Sequence, residues 1–165
     1  METRKITTLS MLLALAVTLN IMESMIPLLA NMIPGVKLGL ANMVTIFVIY
    51  MYQFNDAISL SIGRVLIVGI LRTGLLSITF FFSLAGAILS TIAMYLVKRY
   101  TSLSIVGVSI VGAVTHCLGQ ILVAIIILRT INVIYYLPIL LLLSIPMGIV
   151  TGMTVKQVLR FYDKI

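Results

Sequence analysis

Carboxylates are nearly missing from this chain. Glu2, Glu23, Asp56 and Asp163 are the whole acidic complement of 165 residues. Magnesium-bridged diphosphate chemistry needs clustered aspartates, and Asp56 and Asp163 stand over a hundred residues apart, so no such cluster can form. A phosphate-cradling Gly-x-x-x-x-Gly-Lys-Ser/Thr loop is also missing, so the chain cannot hydrolyse ATP by itself and any pumping requires a separate ATPase. The serine, histidine and acidic residues show no spacing that singles out a catalytic triad. One cysteine, Cys117, lies inside an apolar run and reads as core filling; it excludes an intrachain disulfide and a multi-cysteine metal site. Nothing here calls for a metal or a cofactor. Charge of either sign is sparse, at 9% of residues.

What fills the chain instead is apolar surface: 62% of residues are hydrophobic and the mean hydropathy is +1.27. So short a chain cannot bury that much apolar surface in one soluble core, so lipid must act as its solvent. The net charge of +7 would suggest nucleic acid in a soluble domain. In a membrane protein the enrichment of lysine and arginine in cytoplasmic links explains it, and no nucleic-acid partner is expected.

Six spanning helices are predicted. The first covers about residues 6–29. Its uncharged run is longer than a signal-peptide core and no small-x-small cleavage site precedes Pro27, so it reads as a retained helix. Ser10, Ala14 and Thr18 recur every four residues along it, as do Ala16, Asn20 and Ser24. Such spacing lets another helix approach closely, either within the protein or from a partner. Pro34-Gly35 stops the chain and re-aims it, which places Lys37 at the next helix start, where a cation is unfavourable unless it faces an anion. The second helix covers 38–55, about 27 Å long, with Tyr50 and Tyr52 at an interface. The third, 57–72, is capped by Asn55 or Asp56 and holds Arg64 near its middle, where it must face protein or water.

The fourth helix, 75–97, carries a small-residue face of Ser83, Ala87 and Thr91 beside Gly86 and Ser90. In the fifth, 104–128, Gly112, His116, Gln120 and Ala124 form a stripe that is polar in its middle. His116 is either a structural hydrogen-bonding group or, with Gln120, part of a cavity wall. The sixth, 134–160, has Pro146 as a kink and Ser144, Gly148 and Gly152 spaced for close packing. No linker or low-complexity stretch divides the chain, so residues 1–165 form one six-helix transmembrane domain.

With both termini inside, the cytoplasmic ends hold Arg4, Lys5, Lys98, Arg99, Lys156, Arg160 and Lys164. Lys37, Arg72 and Arg129 then fall in outer links, and Arg64 lies in the outer half below Arg72, where the topology rule gives no reason for cations. Either Glu23 pairs with Arg64 and the others meet lipid headgroups, or an outward-facing pocket takes a small anionic or amphipathic molecule. In the second case Lys37, Arg64 and Arg72 supply charge, while Asn42, His116 and Gln120 supply directional hydrogen bonds.

Pro34-Gly35-Val36-Lys37-Leu38-Gly39-Leu40-Ala41-Asn42, Gly112-Ala113-Val114-Thr115-His116-Cys117-Leu118-Gly119-Gln120 and Tyr135-Tyr136-Leu137-Pro138 together carry a resemblance that spans nearly the whole chain. They resemble the family called heptaprenyl diphosphate synthase component I, or Gx transporter. That family in turn resembles the substrate-binding S components of energy-coupling-factor (ECF) vitamin transporters, which are six-helix membrane proteins. The wider resemblance implies a multi-pass protein of the cell membrane that captures a ligand from the outer side. It also implies an ECF-type transmembrane coupling subunit with ATPases as partners. S components contact that subunit through small residues of the first helix, which transfers the role to Ser10, Ala14 and Thr18, although the usual Ala-x-x-x-Ala pattern is only approximated. The family name implies the alternative, a membrane partner of a prenyl diphosphate synthase that is not itself catalytic, since the aspartate clusters are missing.

Overall fold

Lys98, in the last turn of one helix, reaches across to a neighbouring helix end: its Nζ donates to the Ile49 carbonyl at 2.6 Å and sits 4.6 Å from the centre of the Tyr50 ring. This contact marks one pole of the bundle, where the last turns of two helices meet. A computed structural model describes residues 2–24 and 40–162. The Pro34-Gly35 turn and Lys37 lie outside the described residues, as does Lys164.

The helices are α1 (Glu2–Ser24), α2 (Leu40–Met51), α3 (Phe54–Val68), α4 (Ile78–Tyr100), α5 (Ile105–Leu128) and α6 (Leu137–Tyr162). A π turn, Gly69–Thr73, extends α3, and a short 3-10 turn, Ile131–Tyr136, leads into α6. The described residues contain no strand. Together with their flanking turns, five of these helices are long and apolar enough to cross a membrane: Thr3–Glu23, Phe54–Thr73, Ile78–Tyr100, Ile105–Leu128 and Leu137–Tyr162. The described part of α2 is 12 residues, about 18 Å of helix, and is shorter than a bilayer core.

Local chemistry explains where these boundaries differ from the sequence reading. α2 stops at Met51, before the expected 55, because Gln53 is extended and caps the next helix: its backbone N–H donates to Asp56 Oδ2 at 3.0 Å. α3 therefore begins at Phe54, three residues early, and the π turn carries it on to Thr73, giving the full-length span that 57–72 lacked. α4 begins late, since Gly74 (φ 81°) and Leu76 (φ 68°) make a left-handed turn and Ser77 Oγ then accepts from Phe80 N at 3.1 Å. Ser104 caps α5 in the same way, accepting from Gly107 N at 3.3 Å. Pro138 falls in the first turn of α6, where a missing N–H costs little, and α6 continues through Pro146 as one helix.

The pairings α4–α5 and α5–α6 are the most extensive, and glycines make them so. A Cβ at Gly119 would lie 2.9 Å from the Ala85 carbonyl oxygen and from Gly86 Cα. At Gly152 it would lie 2.7 Å from Val106 Cα. Ser144, Gly148 and Gly152 are buried, as the spacing predicted. Between α5 and α6 the Ser109 and Thr151 hydroxyls also share a 2.9 Å hydrogen bond.

Helix α1 packs on α2 and α3. Ala16 is fully buried, and Leu9, Leu12 and Leu13 pack on the core. The Ser10, Ala14 and Thr18 stripe points elsewhere: all three are exposed, so this flank does not serve packing inside the bundle. The largest apolar core joins Ala16, Ile46, Ile49, Leu60, Met94 and Val155 with their neighbours. It fills the pole at which Lys5 pairs with Asp56 at 2.8 Å and where Lys98 meets Ile49. That leaves the opposite pole for polar residues.

Candidate binding site

Each helix brings at least one residue to a cavity at that second pole. α1 brings Asn20 and Glu23 from its last two turns, and α2 brings Ala41 and Asn42 from its first. α3 supplies Arg64 and Val65, and α4 supplies Ser83. One face of α5 presents Ala113, His116, Cys117 and Gln120, while α6 closes the far wall with residues from Leu140 to Thr151, Ser144 among them. The space between the walls, open mouth included, is about 750 Å³.

Arg64 is the centre of this arrangement. It is 4% exposed, and Glu23, at 6%, is its electrostatic partner. Its buried Nε finds no hydrogen-bond acceptor among the described residues. A buried donor without an acceptor is costly, and the guanidinium that carries it lines the cavity, where it can meet a ligand oxygen. Asn42 is held from behind: its Nδ2 donates to Ser90 Oγ at 3.3 Å, and Ser90 Oγ donates to the Gly112 carbonyl at 2.8 Å. His116 packs over Gly86, where a Cβ would come within 2.9 Å of the imidazole. That glycine lets the ring lie against α4 while the side chain lines the cavity.

Of the residues singled out from sequence, Asn42, Arg64, His116 and Gln120 come together here from α2, α3 and α5. Arg72 does not join them: it sits exposed in the π turn and is not part of the lining. Arg129 caps α5 in a left-handed conformation at φ 49°. Lys37 lies outside the described residues. The sequence reading took Ser83, Cys117 and Ser144 for packing and did not single out Thr151, yet all four line the wall. A signal was present for two of them: Cys117 neighbours His116 on the helix face that runs to Gln120, and Thr151 lies two turns after Ser144.

Among the described residues the wall combines one guanidinium, one carboxylate, an imidazole, three amides and several hydroxyls with apolar surface from Val65, Leu140, Leu143 and Met147. Such a lining can orient the polar head of a small molecule and hold its apolar part.

Comparison with known proteins gives one match. The family model described as heptaprenyl diphosphate synthase component I aligns with residues 12–158. No curated protein and no solved structure matches the chain. A component I implies at least one further component. The match covers most of the chain, from the third turn of α1 to the last turns of α6, and the chain therefore belongs to the heptaprenyl diphosphate synthase component I family.

Proposed function

We propose that this protein is a multi-pass, six-span component of the cell membrane that captures a small anionic or amphipathic molecule in the cavity and works with a separate energising module. This is the manner of an ECF S component. The observation that carries the reading is the convergence of six helices on a cavity whose wall holds a buried Arg64 beside Glu23, Asn42, His116 and Gln120. Ionisable groups at such depth in a membrane protein persist where they meet a partner, a ligand or water, and they mark substrate paths.

Orientation follows from the charges at the two poles. Arg4, Lys5, Lys98, Arg99, Lys156 and Arg160 belong to one pole, while the other has Arg72 and Arg129. The positive-inside rule puts the first pole in the cytoplasm, with the N- and C-terminal helix ends, and the cavity toward the outside. A cysteine at Thr130, in a background with Cys117 replaced, is expected to react in intact cells with an impermeant thiol reagent. One at Thr101 is expected to stay unlabelled. Labelling of Thr101→Cys from outside would invert the orientation and close the cavity to external ligand.

The exposed Ser10, Ala14 and Thr18 flank of α1 is the proposed docking face for the energising module, because small side chains let a second helix come close. The family designation favours a different partner, the catalytic component of a heptaprenyl diphosphate synthase, with this chain as its membrane component. Co-expression separates the two readings. The protein is expected to co-purify with a transmembrane coupling subunit and ATPases rather than with a prenyl transferase chain. Ala14→Trp is expected to abolish that association while the small molecule retained in the cavity, read by mass spectrometry, is unchanged. A prenyl transferase that co-purifies in place of the ATPases would establish the second reading, and partner association that survives Ala14→Trp would remove the stripe from the interface.

A further inference from the structure

We propose that the cavity selects an amphipathic molecule of no net charge with a hydroxyl or carbonyl head, and that Glu23 is the residue that excludes phosphorylated ones. This rests on the cavity being a ligand site, and it narrows the ligand from anionic or amphipathic to neutral. Among the described lining residues there is one guanidinium, Arg64, and one carboxylate, Glu23, and the two attract each other. Their charges sum to zero before any ligand enters. Asn20, Asn42 and Gln120, with the Ser83, Ser144 and Thr151 hydroxyls, add hydrogen-bonding groups without charge.

A diphosphate brings several negative charges into this lining. Among the described lining residues His116 can offset one of them, and the remainder would find no further cation there beside Glu23, in a surrounding of low dielectric where buried charge is costly. A neutral head group keeps the balance. Its oxygen can accept from the Arg64 guanidinium, which lines the cavity, while Glu23 remains the counter-ion. Val65, Leu140, Leu143 and Met147 offer the apolar surface for the rest of the molecule. Glu23 thereby acts as a specificity-determining residue, by repulsion of the wrong head group rather than attraction of the right one.

Two probes with the same tail and different charge test this: farnesol and farnesyl diphosphate, with binding measured on protein in nanodiscs. The wild type is expected to bind the alcohol about tenfold or more tightly than the diphosphate. Glu23→Gln is expected to move that ratio toward the diphosphate by about tenfold or more, and Glu23→Gln/Arg64→Gln to move it back. Tighter binding of the diphosphate by the wild type, or a ratio that Glu23→Gln leaves unchanged, overturns the proposal. The wild-type ratio decides alone if the variant fails to fold. Failure of both probes to bind any of the proteins would remove the cavity as an amphipathic ligand site, and the proposed function with it.

Discussion

Arg64→Gln is expected to lower the stability of the folded protein by about 3–5 kcal/mol, the range for breaking a buried charge pair by removal of one partner. The reason is what remains: Glu23, 6% exposed, would keep its carboxylate beside an amide instead of a guanidinium. The double change Arg64→Gln/Glu23→Gln is expected to recover most of that loss, because two neutral amides leave no stranded charge. Ligand retention should not recover with it, since the guanidinium donor is still missing. Arg64→Lys should recover only part of the binding, because an ammonium is a point charge and lacks the planar fork. Thermal melting and ligand retention measured on the same variants separate these effects. Normal retention in a folded double variant would reduce Arg64 to a structural residue.

Gly119→Ala is expected to destabilise by about 1–3 kcal/mol and to cost ligand binding as well. The new Cβ would meet backbone, the Ala85 carbonyl oxygen and Gly86 Cα both at 2.9 Å, so α4 and α5 must separate. His116 and Gln120 lie on α5 within one turn of the insertion and would move with it. Gly112→Ala, on the same helix, makes a useful contrast. Its nearest neighbour is the side chain of Met94, which is flexible and can give way. The smaller effect is therefore expected there, with binding retained. Equal losses at the two positions would mean that the α4–α5 spacing does not set the cavity.

Much of this arrangement was legible from residue order alone because helical periodicity reports faces. The stripe through Gly112, His116 and Gln120 identified one wall of the cavity, and an arginine amid apolar residues had to face inward whatever surrounded it. The small-residue spacing of Ser144, Gly148 and Gly152 marked a helix contact for the same reason. Periodicity cannot report which faces meet, so Ser83 and Ser144 read as packing residues until α4 and α6 were placed around α5. Boundaries failed where one side chain decides them. Asp56 Oδ2 accepting from Gln53 N shortened α2, and Ser77 rather than Leu75 began α4. Arg72 was grouped with Arg64 by depth along α3, but the π turn between Gly69 and Thr73 carries it outside the cavity lining.

The Arg64–Glu23 pair also bears on how the chain reaches its membrane. A lone arginine in the bilayer centre costs about 2.5–3.5 kcal/mol on insertion scales. α1 leaves the ribosome first, so Glu23 is already in place when α3 emerges with Arg64, before α4, α5 and α6 have emerged. The two early helices can therefore neutralise each other's charge without help from the later ones, whereas the hydrogen-bonding wall on α5 and α6 is the last part to arrive. The charge pair can thus form during synthesis, and the site it belongs to is complete only after the final helix has inserted.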